Sequence, residues 1–198
     1  MSNRGMTQPP APALLLIDVQ QGFDEPKWGA RNNPQAESRI AALLRAWREA
    51  SWPVIHVQHM SVTPGSPLQP GSPGNAIKPE AAPREGEPLF QKNVNSAFIG
   101  TDLEGYLREH GIAGLAIVGL TTDHCVSTTA RMAANLGFGV TVVEDATATF
   151  ERTGPDGVHY SADMMHRLAL ASLHGEFAEV RSTDELLATV RRPAAGKR

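Results

Sequence analysis

The sequence contains one cysteine, Cys125, among 198 residues. A single cysteine excludes an internal disulfide and fits a reducing compartment, where the thiol stays free for chemistry. No apolar run reaches the ~18 residues of a membrane-spanning helix, and the polar, proline-rich start lacks the apolar centre of an export signal. A net charge of −3 offers no basic surface to nucleic acid. We therefore expect a cytoplasmic protein with no membrane or nucleic-acid partner.

Size and composition indicate one globular domain. The chain is 41% hydrophobic and 20% charged, which is sufficient for a sizeable core. We predict an extended or disordered segment over residues 1–12, a single domain over residues 13–190 and a flexible tail over residues 191–198.

Short apolar runs alternate with helical patterns along the chain. The predicted strands are Ala13–Ile17, Val54–Val57, Pro88–Phe90, Leu115–Val118, Val140–Val143 and Ala178–Val180. The predicted helices are Gln35–Ala50, Asp102–Glu109, Asp123–Leu136, Gly157–Leu173 and Thr183–Val190. This alternation predicts an α/β fold, a doubly wound three-layer α/β/α sandwich with a mostly parallel six-stranded sheet. The long proline- and glycine-rich connection over residues 60–87 is typical of loops that build or cover a site.

Three polar residues stand at or just beyond the carboxyl ends of predicted strands, where ligands bind in such sheets. Asp18 follows Ala-Leu-Leu-Leu-Ile, Lys92 follows Leu-Phe-Gln, and Cys125 lies a few residues past Leu-Ala-Ile-Val-Gly. The predicted helix places Cys125 in its first turn, where free N–H groups and the helix dipole favour a thiolate, so we expect a lowered thiol pKa. An acid, an amine and a thiol are the parts of a cysteine-nucleophile hydrolase.

Each of these residues also has a structural interpretation. Cys125 fits a small buried hydrophobe, and Lys92 fits a solvated surface lysine. Asp18 fits a carboxylate that caps a turn, or the aspartate of a phosphotransfer site. Haloacid-type phosphotransfer enzymes carry a second aspartate two residues later, and Gln20 occupies that place here, which weakens the phosphatase hypothesis.

The histidines give weaker signals. His124 adjoins Cys125, but neighbouring side chains at a helix start diverge by about 100°, so we predict a packing or solvent role for it. Strand alternation puts His56 and Gln58 on one side and His59 on the other. Two histidines without a matching carboxylate make a poor ligand set, so we predict no metal and no cofactor.

Four segments together resemble the isochorismatase-like cysteine hydrolases, and the resemblance spans nearly the whole chain. They are Leu-Leu-Ile-Asp18-Val-Gln-Gln-Gly-Phe23, Pro-Val-Ile-His56-Val, Lys92-Asn-Val-Asn-Ser-Ala-Phe98 and Val-Gly119-Leu-Thr-Thr-Asp-His-Cys125-Val. The family includes nicotinamidases, carbamoylsarcosine and ureidoacrylate amidases, streptothricin hydrolases and isochorismatases. The resemblance implies a Rossmann-like sandwich and a catalytic triad of Asp18, Lys92 and Cys125.

Further expectations follow from the resemblance. It implies a cis peptide bond between Leu120 and Thr121, and an oxyanion hole made by the backbone N–H groups of Thr121 and Cys125. It also implies a small-molecule substrate and a homo-oligomer, either a dimer or a tetramer.

The chain departs from two branches of this family. The stretch His56-Val-Gln-His-Met60 lacks the aspartate that metal-binding nicotinamidases carry after the second strand, which argues against nicotinamide as substrate. Isochorismatases that cleave a vinyl ether need no thiol, so Cys125 favours hydrolysis of a carbon–nitrogen bond in an amide, ureide or lactam. The alternatives are an ether hydrolase that uses Asp18 as its acid, and a non-catalytic small-molecule-binding or redox-responsive protein.

Several residues near the triad in sequence are candidates for the substrate pocket. We predict apolar walls from Phe23, Trp28 and Phe98, and polar contacts from Arg31, Gln58, His59 and Glu80. For Phe23 and Phe98, packing in the core is an equally open interpretation.

Overall fold

A computed structural model describes residues 11–190, and a six-stranded sheet forms its centre. The predicted tail over residues 191–198 and nearly all of the predicted segment 1–12 lie outside the described residues. The sheet contains β1 (Ala13–Ile17), β2 (Val54–His59), β3 (Leu89–Lys92), β4 (Gly114–Leu120), β5 (Gly139–Ala148) and β8 (Glu179–Arg181). A separate antiparallel hairpin is formed by β6 (Arg152–Thr153) and β7 (His159–Tyr160). All six predicted strands are present.

The strand order is β3-β2-β1-β4-β5-β8, and every neighbouring pair is parallel. From β1 towards one edge of the sheet the strands are β2 and then β3. From β4 towards the other edge they are β5 and then β8. The winding direction therefore reverses between β1 and β4. In doubly wound sheets, ligands bind beyond the carboxyl ends of the strands at this reversal. Residues that follow β1 and β4 are accordingly placed to form a site.

Helices cover both faces of the sheet. In the described range they are α1 (Ala36–Glu49), α2 (Leu103–Glu109), α3 (Ser127–Asn135), α4 (Ala162–Leu173) and α5 (Thr183–Val190). Ala13, Leu15 and Ile17 of β1 pack with apolar residues of α2, α3 and α4, whereas Leu14 and Leu16 pack with those of α1 and α5. Side chains alternate between the faces of a strand, so β1 contributes to two cores at once. The predicted three-layer sandwich is confirmed.

Three element boundaries differ from the prediction by more than two residues. Strand β5 continues to Ala148 because its register against β4 shifts, with Ile117 facing Val142 but Gly119 facing Thr147. The helix predicted from Asp123 instead begins with a π-helical turn, Thr122–Val126, that leads into α3. The helix predicted from Gly157 begins at Ala162, because the preceding residues pair in the β6–β7 hairpin.

None of the helices in residues 11–190 is long and apolar enough to cross a membrane.

Candidate active site

Three elements bring Asp18, Lys92 and Cys125 together at the carboxyl edge of the sheet. Asp18 follows β1, Lys92 is the last residue of β3, and Cys125 lies in the π-helical turn after β4. The Nζ atom of Lys92 lies 2.5 Å from Oδ2 of Asp18 and 3.4 Å from Sγ of Cys125. The ammonium of Lys92 thus bridges an acid and a thiol.

Asp18 is held in an unusual backbone conformation. Its φ angle is +51°, in the left-handed region that few residues other than glycine adopt, and aspartate tolerates this region better than most. Its N–H donates to the Val57 carbonyl at 3.0 Å, which ties the residue to β2. The side chain is fully buried, and Oδ1 has no hydrogen-bond partner within the described part of the chain. One carboxylate oxygen therefore binds Lys92 and the other is left without a protein partner.

Side-chain hydrogen bonds at two residues hold the π-helical turn that carries Cys125. The hydroxyl of Thr122 pairs with Nδ1 of His166 on α4 at 2.9 Å. The carboxylate of Asp123 accepts hydrogen bonds from the Thr149 hydroxyl at 2.5 Å and from Nε of Arg152 at 2.8 Å. The turn that presents the thiol is consequently tied to α4 and to the segment after β5.

Burial dominates the electrostatics of the acid and the thiol. Burial raises the pKa of Asp18, and the nearby Lys92 ammonium lowers it in part. Burial and then the negative charge of Asp18 raise the pKa of the Cys125 thiol, and Lys92 offsets only part of that rise. The predicted lowering of the thiol pKa is therefore wrong for the free protein, because loss of water outweighs the position of Cys125 at a helix start.

His59, the last residue of β2, completes the surroundings of Lys92. Its Nδ1 lies 3.0 Å from Nζ of Lys92 and 4.0 Å from Oδ2 of Asp18. Burial and the charge of Lys92 lower the pKa of His59 to about 4, so its imidazole is neutral at pH 7.

Asp18, His59 and Cys125 also bring three potential metal-ligand atoms within 4.8 Å of one another. Nζ of Lys92 lies within hydrogen-bonding distance of an oxygen of Asp18, a nitrogen of His59 and the sulfur of Cys125, so a cation already contacts all three residues. A divalent ion there would meet the positive charge of Lys92 at close range. These residues do not fit a metal site while Lys92 is charged.

A small cavity opens beside the triad. Its volume is about 160 Å³. Asp18, Phe23, Trp28, His59, Leu68, Asn95, Thr121, His124, Cys125, Phe150 and Arg152 line it. Three of the walls are aromatic rings in mutual contact, because Phe150 lies with its ring centroid 6.2 Å from that of Phe23 and 5.9 Å from that of Trp28. The site thus combines a buried thiol with an apolar surface suited to a small planar group.

The peptide bond between Leu120 and Thr121, at the end of β4, is cis. Thr121 lines the cavity next to Cys125.

The sequence model of the isochorismatase domain matches residues 12–185, which is nearly all of the chain. The chain belongs to the isochorismatase family. Members of this family are hydrolases, so the chain is an isochorismatase-family hydrolase.

Individual isochorismatase-family relatives agree with this assignment. The family protein YrdC of Bacillus subtilis is 47% identical over 175 residues, which cover 88% of this chain and 94% of the relative. A streptothricin hydrolase of Streptomyces noursei is 34% identical over 142 residues, which cover 70% of this chain and 50% of the relative. The crystal structure of an isochorismatase-family protein from Chromobacterium violaceum superposes with a TM-score of 0.88 at 49% identity, covering 91% of this chain and 93% of that one.

Four residues predicted to line the pocket of this isochorismatase-family chain lie elsewhere. Arg31 forms a two-pronged ion pair with Glu37 at the start of α1. Gln58 donates to the Asn75 carbonyl, and Glu80 is exposed in the turn Pro79–Ala81. Phe98 stacks on the ring of Phe138, with ring centroids 6.0 Å apart, in the core beside α2 and α3. Proximity to the triad in sequence was a poor guide, because Arg31, Gln58 and Phe98 contact residues outside the cavity and Glu80 is exposed to solvent.

Phe23, Trp28 and His59 do line the cavity, and their contact with substrate stays a prediction. The prediction missed five further lining residues, which are Leu68, Asn95, His124, Phe150 and Arg152. Phe150 and Arg152 could have been predicted, because they follow the carboxyl end of β5. The predicted strand ended at Val143 instead of Ala148, so these residues were not recognised as strand-end residues. His124 has a half-exposed ring at the cavity, with Nδ1 3.5 Å from the Arg152 guanidinium.

Proposed function

We propose that this hydrolase cleaves a carbon–nitrogen bond in a small amide, ureide or lactam through a thioester on Cys125. One observation carries the proposal: the Lys92 ammonium joins the Asp18 carboxylate to the Cys125 thiol, and both groups line the same small cavity. The streptothricin hydrolase relative supports a hydrolytic role for this arrangement.

The first half of the reaction forms the thioester. Asp18 takes the proton from the Cys125 thiol, and the sulfur attacks the carbonyl carbon of the substrate. The carbon–nitrogen bond then breaks, and Asp18 returns the proton to the departing ammonia or amine. The raised pKa of Asp18 suits it for both steps, since a base with a pKa closer to neutrality is also a usable acid.

The second half consumes water. Asp18, again ionised, removes a proton from a water molecule whose oxygen attacks the thioester carbon. The carbon–sulfur bond breaks, the acid product leaves, and the thiol regains its proton. Lys92 stays charged throughout and stabilises whichever of Asp18 and Cys125 carries the negative charge.

The backbone N–H groups of Thr121 and Cys125 are proposed to hold the negatively charged oxygen of the tetrahedral intermediates. Both residues line the cavity, which supports this role. Each donor of such an oxyanion hole contributes roughly 3 kcal/mol to lowering the barrier.

The cavity limits the size of the reacting group. A volume of about 160 Å³ is close to that of an engineered protein cavity of about 150 Å³ that holds benzene. We therefore expect the part of the substrate that enters the site to be no larger than a single ring, placed against Phe23, Trp28 and Phe150.

Vinyl ether hydrolysis remains a second candidate, because burial raises the pKa of Asp18 and so favours the protonated carboxyl that such a reaction requires. In that reaction Asp18 would protonate the substrate and Cys125 would take no part.

Mass spectrometry separates the two candidates. The wild-type protein, Cys125→Ala and Asp18→Asn are incubated with a panel of small amides, ureides and lactams and with a vinyl ether. We expect hydrolysis of carbon–nitrogen substrates with an acyl adduct on Cys125, and a loss of kcat/KM of about 1000-fold or more in Cys125→Ala. Full turnover by Cys125→Ala, with loss in Asp18→Asn, would instead establish the ether reaction.

A further inference from the structure

His59 is fixed in place by a buried side chain from the neighbouring strand end. Gln20, which is fully buried, donates its amide to the His59 carbonyl at 3.0 Å and accepts from the His59 N–H at 2.8 Å. The Asn75 amide adds a second hydrogen bond to the same carbonyl at 2.9 Å. The backbone of His59 is thus held from two sides, and one of its partners, Gln20, lies two residues after Asp18 in the chain.

The hydrogen bonds of Lys92 determine how the His59 ring is protonated. An ammonium has three N–H donors and no acceptor. Nζ of Lys92 has three side-chain partners in the described chain, which are Oδ2 of Asp18, Nδ1 of His59 and Sγ of Cys125. Since Lys92 can only donate, Nδ1 of His59 must accept, and the ring proton must be on Nε2.

The remaining nitrogen of His59 is available to a ligand. Within residues 11–190, Nε2 of His59 has no hydrogen-bond partner. It is also not a fully buried atom, so a ligand can reach it. His59 lines the cavity beside the triad. The lowered pKa of His59 agrees with a neutral ring that keeps this Nε2–H donor across the neutral pH range.

We propose that His59 is a positioning residue that accepts the third N–H of Lys92 on Nδ1 and presents its own Nε2–H to an acceptor atom of the substrate. Lys92 has no N–H left for a substrate, so His59 supplies the donor that Lys92 cannot. The positive charge of Lys92 polarises the ring and strengthens that donor. The substrate part of this inference rests on the proposed function, whereas the ring protonation and the hold on Lys92 do not.

Other charged or titratable groups also face this part of the cavity. Asp18 and Cys125 share the Lys92 ammonium with His59, and His124 and Arg152 line the cavity. Because several groups titrate here, the protonation of the His59 ring has to be measured directly, and the reactivity of the Cys125 thiol has to be measured separately.

Nitrogen NMR of the whole protein, labelled with ¹⁵N in its histidines, tests the ring protonation. The signals of His59 are assigned as those that disappear in His59→Asn, since the chain has seven histidines. At pH 7 we expect an unprotonated Nδ1 and a protonated Nε2. A proton on Nδ1, or a doubly protonated ring, would overturn the proposal.

Alkylation of the only cysteine tests the hold on Lys92 without any substrate. Iodoacetamide modification of Cys125 is followed against pH in wild type, His59→Asn and His59→Leu, with the exposed His110→Leu as control. The asparagine oxygen stands near the position of Nδ1 and keeps an acceptor for Lys92, whereas leucine removes it. Loss of one such hydrogen bond corresponds to about one pH unit in the apparent thiol pKa.

We expect His59→Leu to shift the alkylation profile to higher pH by about that amount, and His59→Asn and His110→Leu to match wild type. Equal profiles for His59→Leu and wild type, or equal defects in His59→Leu and His59→Asn, would overturn the positioning role. Circular dichroism of each variant separates these outcomes from misfolding.

The Nε2–H contact is tested on any compound that the wild-type enzyme hydrolyses. His59→Asn keeps the acceptor for Lys92 but lacks Nε2–H, so we expect kcat/KM to fall about tenfold while the alkylation profile is unchanged. An unchanged kcat/KM would overturn the contact. Turnover that survives in Cys125→Ala would instead count against the proposed function and leave the NMR and alkylation results intact.

Discussion

The Asp18–Lys92 pair is completely withdrawn from water. Both side chains have 0% exposure, and their charged atoms lie 2.5 Å apart. Removing charges from water is costly, and a buried pair recovers that cost only through close mutual contact. Asp18 therefore depends on Lys92 for its ionised state, and removal of Lys92 should change the protonation of Asp18.

Lys92→Met tests this dependence through stability. Without the ammonium, the pKa of Asp18 rises further, because burial raises it and Lys92 was the main opposing influence. The folded variant then binds more protons than the unfolded chain, so its stability falls as pH rises from about 4, the pKa of an unfolded aspartate. Urea unfolding at a series of pH values should show a loss relative to wild type that increases with pH, towards about 3–5 kcal/mol.

The double variant Asp18→Asn/Lys92→Met is the matched control, because it removes both charges of the buried pair. Its stability relative to wild type should lack the extra pH slope of Lys92→Met. Equal slopes in the single and double variants would show that Asp18 is not the group responsible.

At the level of single residues, sequence predicted the centre of the site better than its walls. The proximity of Asp18, Lys92 and Cys125 was predicted because strand ends and a family motif mark these residues. The walls depend on tertiary partners that local sequence does not reveal. Arg31 was captured by Glu37, and Arg152 reached the cavity from the hairpin after β5.

Among the elements, β4 passes close to its neighbour β1 at Gly119. This glycine pairs with Ile17 and has a φ angle of +119°. A Cβ at this position would overlap the backbone carbonyl oxygen of Ile17. Only glycine therefore lets β4 approach β1 and then turn into the segment that carries Thr121 and Cys125.

Gly119→Ala should be strongly destabilising, because the clash is with backbone and cannot be relieved by a rotamer change. We expect a loss of more than about 3 kcal/mol in the free energy of unfolding, measured in urea. Gly139→Ala is the control at the start of β5, where the nearest atom to a new Cβ is the Ala113 oxygen at an ordinary 3.7 Å. Similar losses in the two variants would contradict the steric argument.

Elements with a strong repeating pattern were predicted well, and irregular ones were not. Apolar runs predicted all six strands of the sheet. The π-helical turn at Thr122–Val126 and the register shift in β5 have no periodic signal, because hydrogen bonds from other elements maintain them. The thiol pKa was mispredicted for a related reason, since burial of Cys125 depends on the whole fold.

On the scale of the whole molecule, ion networks fasten the long connection over residues 60–87 to the helical layer. Lys78 contacts both Asp24, at 2.5 Å, and Glu37 of α1, at 2.7 Å. Glu87 joins α1 to β2, because it accepts from Arg48 at 2.7 Å and lies 2.9 Å from Nε2 of His56. These contacts fix the second half of the connection, whose Leu68 lines the cavity.

The Glu87 network should make stability sensitive to acid. Hydrogen bonds from Arg48, Arg84 and His56 outweigh burial and lower the pKa of Glu87 to about 2. The unfolded chain, with an ordinary glutamate pKa near 4.3, then binds more protons, so this contribution is complete above that value and is lost as pH falls towards 2. The shift corresponds to at most roughly 3 kcal/mol at neutral pH, because solvent screens part of the charge of this partly exposed residue. Urea unfolding should therefore show Glu87→Gln well below wild type at pH 7 and close to it near pH 2, whereas the exposed Glu85→Gln should follow wild type throughout. A difference between Glu87→Gln and wild type that persists unchanged into acid would mean that the carboxylate charge is not what holds α1 to the connection.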